Sequence, residues 1–179
     1  LVLWPRFVVV AILIKLDSRG PVLFQQARLE FNNDPIWVLQ FRSMTTFDDA
    51  HDEFRQAVRN DPRVTGIGRV LRQTNIDELP QLLNVLRGEM SIVGPRPHAI
   101  AHNRMFADHI RKMFRRHNVK PGITGWAQVN GLRGETDTFD KMRKRIEHDL
   151  YYVDNWSFFF DLKILVRTAF SKRARINAY

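Results

Sequence analysis

The chain has 179 residues, 44% of them hydrophobic, which suffices for one sizeable core and argues against two full-sized domains. Its 28 Lys and Arg outnumber 19 Asp and Glu to give a formal charge of +9, so its partners should be anionic: nucleic acid, phospholipid or a phosphorylated substrate. The lack of Cys excludes disulfides and thiolate zinc sites, suits a reducing cytoplasmic setting, and restricts any metal to oxygen or histidine ligands.

Leu1 to Leu16 is apolar apart from Arg6 and Lys15, with an unbroken run from Phe7 to Ile14. A membrane-crossing helix takes about 20 such residues. The stretch therefore falls short of a span and fits a re-entrant or interfacial segment, with a buried core element as the competing reading. It lacks the basic start and cleavage site of a signal peptide. The chain opens on Leu1 rather than Met, inside this apolar run, and reads as a piece of a longer protein.

Ser18-Arg19-Gly20-Pro21 breaks the segment. Val22 to Phe24 and Ile36 to Phe41 then predict a hairpin around the turn-forming Asn32-Asn33-Asp34-Pro35. Phe47, Ala50, Phe54 and Val58 recur at helical spacing, which predicts a surface helix over 47–60. Asn75 is expected to cap a helix with Glu78 as its third residue, Pro80 early in it, and Leu79, Leu82, Leu83 and Leu86 on one face, ended by Gly88. A helix over 98–116 follows, and then a glycine-rich connector over 120–134 is expected as a shaped loop. Helices over 139–152 and 157–171 close the chain. The fold class expected is α+β: a mostly helical single domain with a small β-hairpin and a re-entrant or interfacial N-terminal membrane helix.

Asp77 and Glu78 are adjacent carboxylates, a pair that the helix dipole favours in a first turn, so capping alone would account for them. Their neighbourhood suggests more, because Arg63, Arg69 and Arg72 precede them and Gly94-Pro95-Arg96-Pro97-His98 follows. A carboxylate about 4 Å from a phosphate charge is repelled by about 4 kcal/mol at an effective dielectric near 20. Forked guanidiniums, or Mg²⁺ held by a second carboxylate, would offset that repulsion. Arg96 stands between Pro95 and Pro97, whose fixed φ angles let its guanidinium be aimed with little entropy left to lose.

Other chemistries find no support. The histidines show no metal-ligand spacing, the glycines of 120–134 form neither a Walker A nor a G-x-G-x-x-G fingerprint, and no G-x-S-x-G elbow is present. The basic runs at Arg111 to Arg116 and Lys141 to Arg145 read as solvated helix faces. Tyr151, Tyr152, Trp156 and Phe158 to Phe160, followed by Lys172-Arg173-Ala174-Arg175, suit an anionic lipid headgroup boundary, with packing in the core as the alternative.

The stretches Asn75 to Val85, Met90 to His98 and Val119 to Gly131 closely resemble the bacterial sugar transferase family of monotopic polyprenyl-phosphate sugar-1-phosphate transferases. The similarity continues through Arg133-Gly134-Glu135-Thr136, Asp149-Leu150-Tyr151-Tyr152, Asn155-Trp156-Ser157 and Asn177-Ala178-Tyr179. Within the family the chain looks most similar to undecaprenyl-phosphate glucose phosphotransferases. The resemblance implies a cytoplasmic-face enzyme of the bacterial inner membrane, with residues 1–16 as the second half of a re-entrant helix, broken at Pro5, and 17–179 as the catalytic domain. It implies that Asp77 attacks a UDP-sugar, releases UMP, and passes the sugar-1-phosphate to undecaprenyl phosphate in the first step of exopolysaccharide assembly. Glu78, with Asp77, would hold Mg²⁺. Arg96, Arg72 and Arg42 would bind phosphate oxygens, framed by Pro95 and Pro97. Anionic lipid is an expected partner, nucleic acid is not, and a homodimer is compatible with the reading.

The family's pattern breaks at Arg19, at Phe31-Asn32-Asn33-Asp34, at Gln40 and at Gly66. These positions lack expected cations or the expected turn, so fewer phosphate contacts are anticipated on the hairpin side. A non-catalytic membrane-surface domain and a nucleic-acid-binding basic domain are the competing functions; the second lacks any identifying motif.

Overall fold

The computed structural model describes residues 4–29, 35–45, 60–97, 115–116, 118–134 and 138–170. Its first helix, α1, runs over Trp4–Asp17. It is apolar nearly all round, and among the described residues one side is covered: Val10 and Ile14 pack on Phe41 and Leu71, with Phe7 beside them. Trp4, Val8, Val9, Ile12, Leu13 and Leu16 are exposed on the rest of its surface. Among the described residues no helix is long and apolar enough to cross a membrane.

Strands β1 (Leu23–Leu29) and β2 (Pro35–Phe41) form the expected hairpin, antiparallel from the Leu23 and Phe41 pair to the Leu29 and Pro35 pair. The first strand is longer than predicted because Gln25, Gln26 and Arg28 carry no apolar alternation, yet their backbones pair fully with β2. A two-stranded sheet tolerates a polar face.

Helix α2 (Gly66–Thr74) starts at Thr65, whose hydroxyl accepts from the Gly68 N–H at 3.0 Å. It ends at Asn75, a left-handed residue with φ of 59°. Asn75 therefore terminates one helix instead of opening a long Leu-faced one. A 3₁₀ turn over Ile76–Glu78 follows, and after Pro80 comes the short α3 (Gln81–Leu86). The expected leucine face is not the packed one, since Leu83 and Leu86 are exposed while Gln81 and Asn84 are buried. Asn84 pins α3 to β2, accepting from the Leu39 N–H at 3.0 Å and donating to the Trp37 carbonyl at 2.9 Å. A polar clasp replaces the hydrophobic stripe that periodicity suggested. Gly88, with φ of 77°, makes the expected turn after it.

Strand β3 (Ser91–Val93) pairs in parallel with β4 (Gly122–Thr124), and α4 (Trp126–Val129) follows directly. The connector expected as loop thus holds a strand and a helical turn, specified by a partner far away in sequence. A side chain on Gly122 would collide with the Gly94 backbone, so the two glycines permit the crossing. Helix α5 (Phe139–Asp154) is capped by Thr138 and buries Met142, Ile146 and Leu150. Helix α6 (Phe158–Phe170) places Ile164 and Phe160 against Val93, Val129 and Tyr152. Its Phe158, Phe159, Leu162, Val166 and Phe170 are exposed. Mixed helix with small sheets is the architecture expected. The helices predicted over 47–60 and 98–116 lie outside the described residues apart from their last positions, as does the basic tail at 172–175.

Candidate active site

The left-handed Asn75 turns the chain at the end of α2, and the 3₁₀ turn that follows presents Asp77 and Glu78 together. Arg96 reaches the same place from the other half of the molecule. It leaves β3 through a backbone fixed on both sides: the Gly94 N–H donates to the Thr124 carbonyl and the Gly122 N–H to the Pro95 carbonyl, both at 2.9 Å. Pro95 and Pro97 are buried on either side of it.

Glu78 is clamped. Its Oε1 accepts from Arg96 at 2.6 Å and its Oε2 from Arg133 at 2.8 Å, and the residue is buried. Burial alone would raise its carboxyl pKa, but the two guanidiniums, through charge and hydrogen bonds, hold it down at about 2. Asp77 moves the other way, to about 7. Burial is the main cause and repulsion from Glu78 the second, outweighing attraction from Arg72, Arg96 and Arg133. Two neighbouring carboxylates are thus driven apart, one firmly ionised and one poised near neutrality, a pattern that marks sites of acid–base or nucleophilic chemistry.

Behind Arg96 stands a second buried pair. Arg116 donates to the Arg96 carbonyl and lies 3.0 Å from the Asp149 carboxylate of α5. Burial lowers the Arg116 pKa and raises that of Asp149, with each group's charge opposing the other's shift. The pair links α5 to the backbone of the Pro95-Arg96-Pro97 segment.

Of the residues singled out by sequence, Asp77, Glu78, Arg72 and Arg96 come together, with Pro95 and Pro97 framing Arg96. Arg42 is buried and its guanidinium donates to the carbonyls of Ile14, Ser18 and Arg19, where it closes the C-terminal end of α1. Sequence reasoning named no role for Arg133 or Arg28, and it placed Arg116 and Arg145 on solvated helix faces, whereas both are buried, Arg116 against Asp149 and Arg145 donating to the Leu132 and Gly134 carbonyls. Arg133 lies 55 residues from Glu78, in a loop whose glycines drew attention away from it, and no spacing rule connects the two.

Among the described residues no group of three or more His, Asp or Glu side chains could hold a metal. Mg²⁺ nonetheless commonly takes one or two carboxylates and completes its shell with water and substrate phosphate. Each Glu78 oxygen receives one guanidinium donor and keeps a lone pair, and Asp77 adjoins it, so the donor set fits such a cation.

The sequence model described as bacterial sugar transferase matches residues 1–174. The chain is 51% identical to the UDP-glucose:undecaprenyl-phosphate glucose-1-phosphate transferase of Escherichia coli (strain K12), an alignment covering 100% of this chain and 38% of that protein. It is 53% identical to the undecaprenyl-phosphate glucose phosphotransferase of Komagataeibacter xylinus, covering 94% of this chain and 32% of that one. It is 51% identical to the exopolysaccharide production protein PSS of Rhizobium leguminosarum bv. phaseoli, over 98% of this chain and 89% of the relative. The chain therefore spans little more than a third of the first relative's length and most of the third's.

Proposed function

Because the chain belongs to the bacterial sugar transferase family, we propose that it moves a sugar-1-phosphate, glucose-1-phosphate first among candidates, from a UDP-sugar to undecaprenyl phosphate. The observation that carries the reading is the divergence of Asp77 from Glu78 beneath Arg72, Arg96 and Arg133. A carboxylate buried near cations is a nucleophile whose approach to a diphosphate is electrostatically favourable.

In this reading an Asp77 carboxylate oxygen attacks the β-phosphorus of the donor. The bond from that phosphorus to the bridging oxygen breaks, UMP departs with the electron pair, and the sugar phosphate is held on Asp77. The phosphate oxygen of the polyprenyl acceptor then attacks the same phosphorus and releases the Asp77 carboxylate. Arg96 and Arg72 neutralise phosphoryl oxygens, and Arg133 keeps Glu78 ionised and in place. Glu78 and Asp77 would hold Mg²⁺, which would supply further charge neutralisation.

The acceptor is a lipid, and two surfaces support placing the chain at a membrane: the exposed apolar sides of α1 and α6. Lys163 and Arg167 lie over the Trp126 ring, 5.5 and 5.0 Å from its centre, on a helix that also exposes Phe158, Phe159, Leu162, Val166 and Phe170. Such a distribution fits an interfacial helix at an anionic surface. We take that surface to be the cytoplasmic face of the bacterial inner membrane. The test is a donor panel: full-length protein with Mg²⁺, undecaprenyl phosphate and a series of UDP-sugars should release UMP, most rapidly from UDP-glucose. No release from any donor by a folded sample overturns the proposal.

A further inference from the structure

We infer that Arg28, on the hairpin, is an anion ligand of this site, seating phosphate oxygens together with Arg96. Arg28 lies on β1 and donates from Nη1 to the Pro97 carbonyl at 3.0 Å and from Nη2 to Gln26 Oε1 at 2.5 Å. Its Nε–H is sealed from solvent and meets no acceptor among the described residues. No carboxylate among those residues forms an ion pair with it.

Among the described residues the nearest negative charge is already taken: Glu78 attracts Arg28, but its two oxygens pair with Arg96 and Arg133. Burial depresses the Arg28 pKa to about 9; repulsion by Arg96 adds to this, and attraction to Glu78 offsets part of it. Keeping a guanidinium there with no ion-pair partner among the described residues is costly, and the natural compensation is an anion with several oxygens. The hairpin, whose turn lacks the basic residues expected by resemblance, thus still directs one cation to the site. The Pro97 contact ties that cation to the segment that carries Arg96, so an anion held by both would bridge the two halves of the site.

The chemistry recognised is a phosphate group, from the donor's diphosphate or the acceptor's monoester; this identification rests on the proposed function, whereas the test needs no turnover. Thermal unfolding of the full-length protein is followed without anion, with inorganic pyrophosphate and with inorganic phosphate. We expect both wild-type anion shifts to be positive. In Arg28→Met the melting temperature without anion should be unchanged or higher, because a costly buried charge has been removed, and the anion shift should vanish. A residue whose role is only to hold the Pro97 carbonyl predicts the reverse, a lower melting temperature with the anion shift retained, and that result overturns the inference. If Arg28→Met does not fold, Arg28→Lys decides the matter by calorimetric titration: a tenfold or greater loss of pyrophosphate affinity supports the inference and an unchanged affinity refutes it. Loss of the pyrophosphate shift alone assigns Arg28 to the donor; loss of the phosphate shift assigns it to the acceptor as well. An inactive donor panel with Arg28-dependent anion shifts would overturn the transferase reading while leaving this one standing.

Discussion

The molecule holds two kinds of surface that call for opposite solvents. Around Asp77 and Glu78, guanidiniums from four separate segments crowd two largely buried carboxylates. On α1 and α6, large apolar side chains are exposed. The first region costs stability and can be retained only for what it binds; the second costs nothing in a membrane and much in water. An enzyme joining a water-soluble donor to a lipid acceptor needs both, and the contrast separates changes that should disable chemistry from changes that should only relocate the protein.

The largest expected effect is at Asp77. Asp77→Asn removes the attacking oxygen while keeping the side chain's shape, and UMP release in the absence of acceptor should fall by about 10³-fold or more. Retained labelling of the variant from a donor carrying labelled β-phosphate would remove Asp77 from the nucleophile's role. Next in size is the clamp. Arg133→Ala leaves Glu78 buried with one of its two guanidiniums, and breaking a buried pair in this way costs up to about 3–5 kcal/mol, which urea unfolding would read. The same truncation at Arg115, whose partner Asp154 is about half exposed, should cost less than about 1 kcal/mol. Equal losses at the two positions would show that the central cluster is no more tightly coupled than a surface pair.

A smaller effect follows from the Asp77 carboxyl itself. Its folded-state pKa, about 7, lies above the ordinary 3.8, so the folded protein binds more protons than the unfolded one between those values. Stability associated with this group is therefore present at low pH and lost as pH rises from about 4 to 7. Asp77→Asn should be more stable than the wild type at pH 8, by about 1–3 kcal/mol, with the advantage fading toward pH 5. Glu78 has the opposite sign: its contribution is present above pH 4.5 and is lost as pH falls toward 2. An Asp77→Asn advantage that does not vary with pH would contradict the assigned shift.

Much of this site was legible in sequence, and the parts that were not share a cause. Asp77, Glu78 and Arg96 lie in motifs whose local residues already suggest a function, and Gly88 makes the turn expected of it. Arg133, Arg28 and Arg116 carry no local signal, since each acquires its meaning from a carboxylate or carbonyl far along the chain. The same holds for β4, which reads as a glycine-rich loop until Gly94 is set against Gly122. The Leu pattern after Asn75 misled for a different reason. A left-handed Asn and a proline five residues later leave too little uninterrupted chain for the long helix that the leucines suggest, and Asn84 docks the short one that remains.

The smallest effect on the charged centre should come from the outer face of α6. Phe158 and Phe159 are 72% and 79% exposed, so Phe158→Ser with Phe159→Ser removes little that the folded chain buries, and stability should change by no more than about 0.5 kcal/mol. Partition onto vesicles containing anionic lipid should nevertheless weaken, because each Phe transferred from water to the acyl boundary contributes about 1.5–3 kcal/mol. Release of UMP without acceptor should be untouched, since that step uses only the donor and the groups around Asp77, while transfer to undecaprenyl phosphate in a bilayer should slow. If the double variant binds vesicles as well as the wild type, α6 does not face lipid and its apolar side must be covered by protein. If it loses UMP release along with vesicle binding, the two regions are coupled, and the separation drawn between a charged centre and an apolar flank fails at its first joint.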